Sequence, residues 1–141
     1  MKRSASAHWS GGIMDGQGTM STDTNVLNEA PYGFKSRFED GPGTNPEELI
    51  AAAHAGCYSM ALSLGLGNAG FTADGIDTKA TVTLLKDGDG FSITAVELTC
   101  RAKVPRIDAA TFDSIAQATK LACPVSKVLK ATITLDAGLE S

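Results

Sequence analysis

Three cysteines are the residues of this 141-residue chain whose chemistry could be nucleophilic or redox-active. Cys57 lies among small neighbours in the run 55–58, Ala-Gly-Cys-Tyr, which leave room around its sulfur. Cys123 precedes Pro124, and a thiol at the start of a helix meets the positive end of the helix dipole, which lowers its pKa. Cys100 stands in an alternating apolar pattern and is expected to fill a core. By spacing alone, Cys57 is more often an inert core residue than a nucleophile, and Cys123 is the more acidic thiol.

His54 precedes Cys57 by three residues, so a helix places the two side chains on one face. Such a pair suits a Cys–His hydrolase or half of a metal site. A structural zinc needs four ligands and His8 is the only other histidine, so no metal is expected. A hydrolase also lacks an identifiable third group to orient the histidine. We therefore interpret His54 as a polar edge of the helix.

Composition predicts one globular domain over residues 1–141. Hydrophobic residues make up 43% of the chain and charged residues 20%, which is ordinary globular usage. The net charge of −4 argues against nucleic acid and against an anionic membrane as partners. Three cysteines without a CxxC pair favour a reducing compartment, and no signal-peptide pattern is present, so a cytoplasmic location is expected. Residues 49–73 carry no charge and are long enough to span a bilayer, but their Ala, Gly and Ser content favours a core helix.

The first half of the chain is predicted to hold short strands followed by one long helix. Residues 1–44 are turn-rich and indicate short antiparallel strands. Asn45 followed by Pro46 predicts the start of the main helix, and Glu48 is placed to close a capping box onto Asn45. Glycines accumulate at 65–70, so the helix is expected to end there, at about residue 69.

The second half is predicted to alternate strands and helices. A strand over 76–86 and another over 91–104 flank a hairpin turn. The apolar alternation of the second strand changes phase at Ala95-Val96, which predicts a bulge there. The remaining elements are a helix capped by Asp108, a short helix starting at Cys123-Pro124 and a last strand over 131–135.

Residues 43–61, GTNPEELIAAAHAGCYSMA, resemble the active-site helix of the OsmC/Ohr family, the osmotically inducible and organic hydroperoxide resistance proteins. Cys123-Pro124-Val125-Ser126 is a further similar segment. Two others, Pro31-Tyr32-Gly33-Phe34 and Ser36-Arg37-Phe38-Glu39, resemble the OsmC branch in particular. The resemblance covers essentially the whole chain in order. It implies an α+β fold and an intertwined homodimer, with antiparallel sheets wrapped around a central buried helix over about 45–69 and two active sites at the interface.

Residue by residue, the resemblance implies a thiol-dependent peroxidase. Cys57 matches the cysteine that attacks peroxide, Cys123 the resolving cysteine, Arg37 the arginine that holds the thiolate, and Glu47 the carboxylate paired with that arginine. Neither Arg37 nor Glu47 stands out by itself, since charged residues usually mark a solvated face. The implied reaction reduces an organic hydroperoxide to an alcohol through a Cys57 sulfenic acid and a Cys57–Cys123 disulfide. No bound cofactor is implied, and a dithiol or a lipoylated protein would supply the electrons.

Two other functions stay open at this point: a Cys–His hydrolase using His54, and a non-catalytic module that binds a hydrophobic ligand with Cys57 in its core.

The geometry of an α-helix adds an expectation about assembly. Ten residues separate Glu47 from Cys57, which is about 15 Å of helical rise. A Glu47 carboxylate therefore does not easily reach a guanidinium beside Cys57 of its own helix. If two copies of the helix cross near Ala52, Glu47 of the partner chain can complete the site.

Overall fold

The computed structural model describes all 141 residues and contains two compact units, Met1–Leu49 and Ile50–Ser141. The boundary falls inside the main helix, and the single domain over 1–141 remains a prediction. Helices and strands occur in both units, so the α+β class expected from the sequence is confirmed.

The first unit holds a three-stranded antiparallel sheet. Its strands are β1 (Ala5–Ser10), β2 (Gln17–Thr22) and β3 (Ala30–Tyr32), paired in that order. Gly18 in β2 lies between the rings of Trp9 and Tyr32, and a Cβ at this position would collide with both. The glycine therefore lets the two rings pack with their centroids 5.6 Å apart.

A short helix that the sequence pattern did not predict follows this sheet. Helix α1 covers Phe34–Phe38. At its start the hydroxyl of Ser36 accepts a hydrogen bond from the Gly33 amide and donates to the Gly33 carbonyl. The rings of Phe34 and Phe38 contact each other one turn apart, with centroids separated by 5.1 Å. A single turn is too short to show helical periodicity, which is why Arg37 looked like part of an irregular segment.

The main helix, α2, runs from Pro46 to Asn68 and begins where the sequence predicted. The Oδ1 atom of Asn45 accepts from the Glu48 amide at 2.8 Å, as an N-cap does. The Glu48 carboxylate accepts from the Thr44 hydroxyl at 2.7 Å instead of turning back to Asn45, so only one half of the predicted capping box forms. Gly70, with φ of 90°, ends the helix in the left-handed conformation that glycine favours.

One stripe of α2 is buried and the opposite stripe is exposed. His54, Tyr58, Leu62 and Leu66, spaced four residues apart, are each 0% exposed. Met60 is 78% exposed and lies on the opposite side of the helix. By length and composition alone α2 could cross a membrane, a test that core helices also pass. The sequence predicted that α2 is a core helix. Within one chain, only one stripe of the helix is buried.

The second unit holds a sheet of β4 (Gly75–Asp87), β5 (Gly90–Lys103) and β6 (Thr132–Leu139) in that order. The β4–β5 hairpin is antiparallel as predicted, whereas β5 and β6 are parallel. The parallel pairing departs from the antiparallel sheets implied by the resemblance, because two helices intervene and return the chain to the same end of the sheet.

The bulge in this hairpin lies close to its predicted place. Thr83 pairs with Ala95 and Leu84 with Ile93, so Thr94 is the extra residue. The prediction at Ala95-Val96 was displaced by one residue, because the side-chain pattern shows the change of phase only after the extra residue has passed. Strand β6 also extends four residues beyond the predicted end at residue 135.

Helices α3 (Ala109–Ala122) and α4 (Pro124–Val128) complete the second unit and meet at Cys123. Asp108 caps α3 as predicted, accepting from the amide and the hydroxyl of Thr111 at 2.8 and 2.7 Å. Cys100 is wholly buried in β5, which confirms its expected role in the core. The core also contains Tyr58, Leu62, Leu66, Val96, Leu98, Ala102, Val104, Phe112, Ala116 and Cys123.

Candidate active site

The second unit brings two of its cysteines into contact. Cys57 lies in the middle of α2, and Cys123 ends α3 and begins α4. Their sulfur atoms are 3.2 Å apart although 66 residues separate them in sequence, and both thiols are free. A disulfide bond has a length of about 2.05 Å. A relative movement of about 1 Å is therefore enough to join the two sulfurs.

Access differs sharply between the two thiols. Cys57 is partly exposed, whereas Cys123 is 0% exposed. Cys57 therefore offers solvent-borne oxidant some exposed surface, whereas Cys123 offers none. The arrangement is one accessible thiol with a buried thiol in direct contact behind it.

Within one chain, Cys123 is the more acidic of the two thiols. Burial raises the pKa of Cys123, but hydrogen bonds from the Ser126 amide, the Cys57 thiol, the Val125 amide and the Ser126 hydroxyl outweigh it and lower the pKa below its ordinary value. Burial also raises the pKa of Cys57; the Val125 amide opposes this, and the neighbouring Cys123 adds to it. The greater acidity that helix-terminus chemistry predicted for Cys123 is confirmed.

His54 lies on the buried stripe of α2 and is 0% exposed, so its interpretation as a polar edge of the helix was wrong. Its Nε2 atom is 2.8 Å from Oγ of Ser126, and its Nδ1 atom has no hydrogen-bond partner. Burial lowers the pKa of His54, which keeps the ring neutral at pH 7. The histidine thus pairs with a serine and not with the cysteine three residues away, contrary to what a Cys–His nucleophile requires.

The other two residues named by the resemblance form an ion pair in the first unit. Nη2 and Nε of Arg37 donate to the same oxygen of Glu47, Oε1, at 2.8 and 3.2 Å. Glu47 is only 8% exposed, and its second oxygen, Oε2, has no partner. The guanidinium also lies over the ring of Phe38, 5.4 Å from its centroid. Charge and packing therefore hold Arg37 in one orientation.

An apolar cavity of about 260 Å³ lies beside Arg37. Its wall is almost entirely aromatic and aliphatic, with the guanidinium as the charged group. The lining residues are Trp9, Ile13, Tyr32, Gly33, Phe34, Arg37 and Phe38. Such a cavity suits an alkyl or aryl group next to a polar head.

Sequence reasoning missed Ser126 as a member of the site. It was part of a family-like segment but received no role. The available signal was its spacing, since it lies three residues after Cys123, where its amide and hydroxyl at the start of α4 can turn back to the preceding sulfur. No cluster of three or more His, Cys, Asp or Glu side chains has the arrangement of a metal site.

Comparison with known proteins places this geometry in a family. Residues 39–137 match the family model described as "OsmC-like protein". The chain belongs to the OsmC-like family. It is 61% identical over 135 residues to Peroxiredoxin OsmC of Escherichia coli K12, covering 96% of this chain and 94% of that protein. It is 33% identical over 97 residues to the Organic hydroperoxide resistance protein-like 2 of Staphylococcus epidermidis, covering 67% and 66% of the two chains.

Solved structures of the OsmC-like family share this fold. The organic hydroperoxide resistance protein OhrB of Bacillus subtilis superposes with a TM-score of 0.69 at 25% identity, over 96% of this chain and 98% of that one. An OsmC-like protein from Mycoplasma pneumoniae gives a TM-score of 0.76 at 15% identity, over 100% and 99%, which supports the fold alone. Because the chain belongs to this family and is 61% identical to a peroxiredoxin, it is a cysteine-based, peroxiredoxin-like peroxidase. The same relationship indicates a non-membrane protein.

Proposed function

We propose that this peroxidase reduces organic hydroperoxides to alcohols, with Cys57 as the attacking thiol and Cys123 as the resolving thiol. The observation that carries the proposal is the 3.2 Å contact between one accessible and one buried free thiol. An inert core cysteine needs no second thiol in contact with it. A Cys–His hydrolase needs the histidine to bond to the cysteine, and here it bonds to Ser126.

The reaction takes two steps at these sulfurs. The Cys57 thiolate attacks the outer oxygen of the hydroperoxide, the O–O bond breaks, and the alkoxide takes a proton and leaves as the alcohol. Cys57 is then a sulfenic acid. The Cys123 thiolate attacks the Cys57 sulfur, and hydroxide leaves and is protonated to water, which forms the disulfide. A dithiol or a lipoylated protein returns the two electrons, and no bound cofactor takes part.

The more acidic thiol of the single chain is not the one assigned to attack. Cys123 lies out of reach of peroxide, so access gives the first step to Cys57. A cation beside Cys57 is then needed to offset the burial that raises its pKa. Arg37, oriented by Glu47, is the residue we assign to this task.

We further propose that Arg37 and Glu47 act on Cys57 of a second chain in a homodimer. Both Glu47 and Cys57 belong to helix α2, Pro46–Asn68, and ten residues of regular α-helix correspond to a rise of about 15 Å. Arg37 is held to Glu47 and moves with it. The exposed apolar stripe of α2, which includes Met60, is a surface that a second copy can cover.

The proposed substrate follows from the cavity beside Arg37. Its aromatic wall binds an alkyl or aryl tail, and the guanidinium lies next to the polar end. Hydrogen peroxide offers no apolar group to this wall. The expected ranking of kcat/KM is therefore cumene hydroperoxide above hydrogen peroxide. A cytoplasmic location, with its supply of reduced dithiols, fits this chemistry.

A count of free thiols tests the proposal. The reduced chain is treated with one equivalent of cumene hydroperoxide, and thiols are counted before and after under denaturing conditions. Loss of two of the three thiols per chain, with cumyl alcohol as product, is the expected result. Retention of all three thiols would overturn the peroxidase mechanism. The Cys57→Ser variant serves as the control and is expected to lose none.

A further inference from the structure

The proposed mechanism leaves one buried polar contact unused. The Oγ atom of Ser126 is 2.8 Å from His54 Nε2. The Ser126 hydroxyl is also one of the groups whose hydrogen bonding lowers the pKa of Cys123. His54 has no exposed surface. Burying a polar ring costs free energy unless the contact it makes repays the cost.

The hydrogens of this contact can be assigned from the partners available. His54 is neutral, so one ring nitrogen carries a hydrogen and the other does not. Nδ1 has no partner, and a buried bare acceptor is tolerated more often than a buried orphan N–H. The hydrogen therefore belongs on Nε2, which donates to Ser126 Oγ. The serine hydroxyl is then left free to donate its own hydrogen to the Cys123 sulfur.

We infer that His54 and Ser126 hold Cys123 as the leaving thiolate when a dithiol reduces the Cys57–Cys123 disulfide. This inference rests on the proposed function, because it needs the disulfide to form. Ser126 acts on the reacting sulfur through its hydroxyl, and His54 is a positioning residue that fixes the direction of that hydroxyl. The pair thereby makes the disulfide easy to reopen.

A dithiol reduces the disulfide in two successive thiol–disulfide exchanges. A thiolate of the dithiol attacks the sulfur of Cys57, the exposed half of the disulfide. The S–S bond breaks, and its electron pair goes to Cys123, where the Ser126 hydroxyl stabilises the thiolate. The second thiolate of the dithiol then attacks its own partner sulfur and releases Cys57. The dithiol ends as a cyclic disulfide, and the two protons of its thiols pass to the protein thiolates or to solvent. Such reactions run faster when the leaving thiol has the lower pKa.

Reduction of the oxidised protein by dithiothreitol tests this inference. Each variant is oxidised by cumene hydroperoxide, and the rate and the equilibrium constant of its reduction by dithiothreitol are measured. Ser126→Ala removes the donor, and a hydrogen bond to a charged atom is worth about a tenfold change or more, so reduction is expected to slow by about that factor. The equilibrium constant for reduction is expected to fall as well, so that more of the protein remains in the disulfide form. Ser126→Thr, which keeps the hydroxyl, is expected to restore both values.

Substitutions of His54 separate a positioning role from a packing role. His54→Gln keeps an N–H near the position of Nε2 and is expected to reduce like the wild type. His54→Leu keeps the apolar volume without a donor and is expected to resemble Ser126→Ala. Ser92→Ala, which removes a hydroxyl bonded to Asp87 beside the β4–β5 turn, is the matched control and is expected to change neither value.

The outcomes distinguish this inference from the function on which it rests. If the wild type forms no Cys57–Cys123 disulfide, the proposed function is wrong. If the disulfide forms and Ser126→Ala is reduced at the wild-type rate with the wild-type equilibrium constant, the inference is wrong and the function stands. If a His54 variant fails to fold by thermal melting, the comparison of Ser126→Ala with Ser126→Thr decides the question.

Discussion

At the scale of single residues, the environments of the three thiols explain why each has a different fate. Cys57 is partly exposed and in contact with Cys123, and Cys123 is buried and bonded to the start of α4. Cys100 is buried in the sheet, where burial raises its pKa. Reactivity toward peroxide needs both a thiolate and access. Cys100 has neither.

Replacement of single cysteines tests this division. Cys57→Ser is expected to abolish hydroperoxide reduction, because serine has no nucleophilic thiolate. Cys100→Ser is expected to keep near-normal activity, since Cys100 is wholly buried in β5, where peroxide does not reach it. The measurement is the steady-state rate with cumene hydroperoxide and a dithiol, together with the thermal midpoint of each variant. An equal loss in both variants, with both folded, would contradict the peroxidase assignment.

Cys123→Ser is expected to react with peroxide once and then fail to turn over. Without the resolving thiol, the sulfenic acid on Cys57 has no intramolecular partner and is oxidised further to sulfinic acid. Mass spectrometry after peroxide treatment should show added oxygen on Cys57 and no internal disulfide. A normal steady-state rate in this variant would remove Cys123 from the mechanism.

At the scale of elements, helix ends position the reactive groups. The start of α2 holds Glu47 against Arg37 of α1, and the junction of α3 and α4 holds Cys123. Asp108 caps α3 at the end opposite Cys123, through hydrogen bonds from the Thr111 amide and hydroxyl. The same hydrogen bonds hold the pKa of Asp108 below its ordinary value.

The cap makes a prediction about the pH dependence of stability. Because the pKa of Asp108 is lower in the folded chain than in the unfolded one, its stabilising contribution is present above the unfolded pKa. The contribution is lost as the pH falls through the folded pKa, below the ordinary aspartate value of about 3.9. Asp108→Ala is expected to have a lower urea midpoint than the wild type at pH 7. The difference between the two midpoints is expected to become smaller at acidic pH.

Asp108→Asn is the matched variant for this test, since it keeps an oxygen acceptor for Thr111 but does not titrate. It is expected to lose less stability than Asp108→Ala at pH 7. If the urea midpoints of the wild type and of Asp108→Ala differ by the same amount at pH 7 and at pH 3, the charge on Asp108 does not contribute to stability.

At the scale of the whole molecule, the proposal that concerns all four site residues is the homodimer. Arg37 and Glu47 pair within the first unit, and Cys57 and Cys123 pair within the second. Small residues, among them Ala52, Ala53 and Gly56, lie on the exposed side of α2 and allow another helix to come close. The homodimer is a proposal, and an exchange of chains tests it.

Mixing Glu47→Ala chains with Cys57→Ser chains under refolding is expected to recover activity. A mixed dimer combines the intact thiols of one chain with the intact Arg37–Glu47 pair of the other. Random pairing makes half of the dimers mixed, each with one complete site of two, so about a quarter of wild-type activity is expected. No recovery, with mixed dimers demonstrated by native mass spectrometry, would show that the site is not shared between chains.

Local signals in the sequence determined much of the framework. The start of α2 at Asn45-Pro46, the cap at Asp108 and the β4–β5 hairpin all followed from interactions over three or four residues. The motif around Cys57 supplied the family resemblance, and the greater acidity of Cys123 followed from its place before Pro124. These features need no knowledge of distant contacts, which is why the sequence was sufficient for them.

Tertiary structure decided the features that depend on partners far away in sequence. The contact between Cys57 and Cys123 spans 66 residues, and the bond between His54 and Ser126 spans 72. Neither spacing carries a local signal, so His54 was wrongly interpreted as a polar edge of the helix and Ser126 received no role. The parallel pairing of β5 with β6 was missed for the same reason, because the intervening helices set the direction in which β6 returns. Hydrogen bonds over one or two turns can be predicted from residue types, whereas a buried contact depends on how the elements pack.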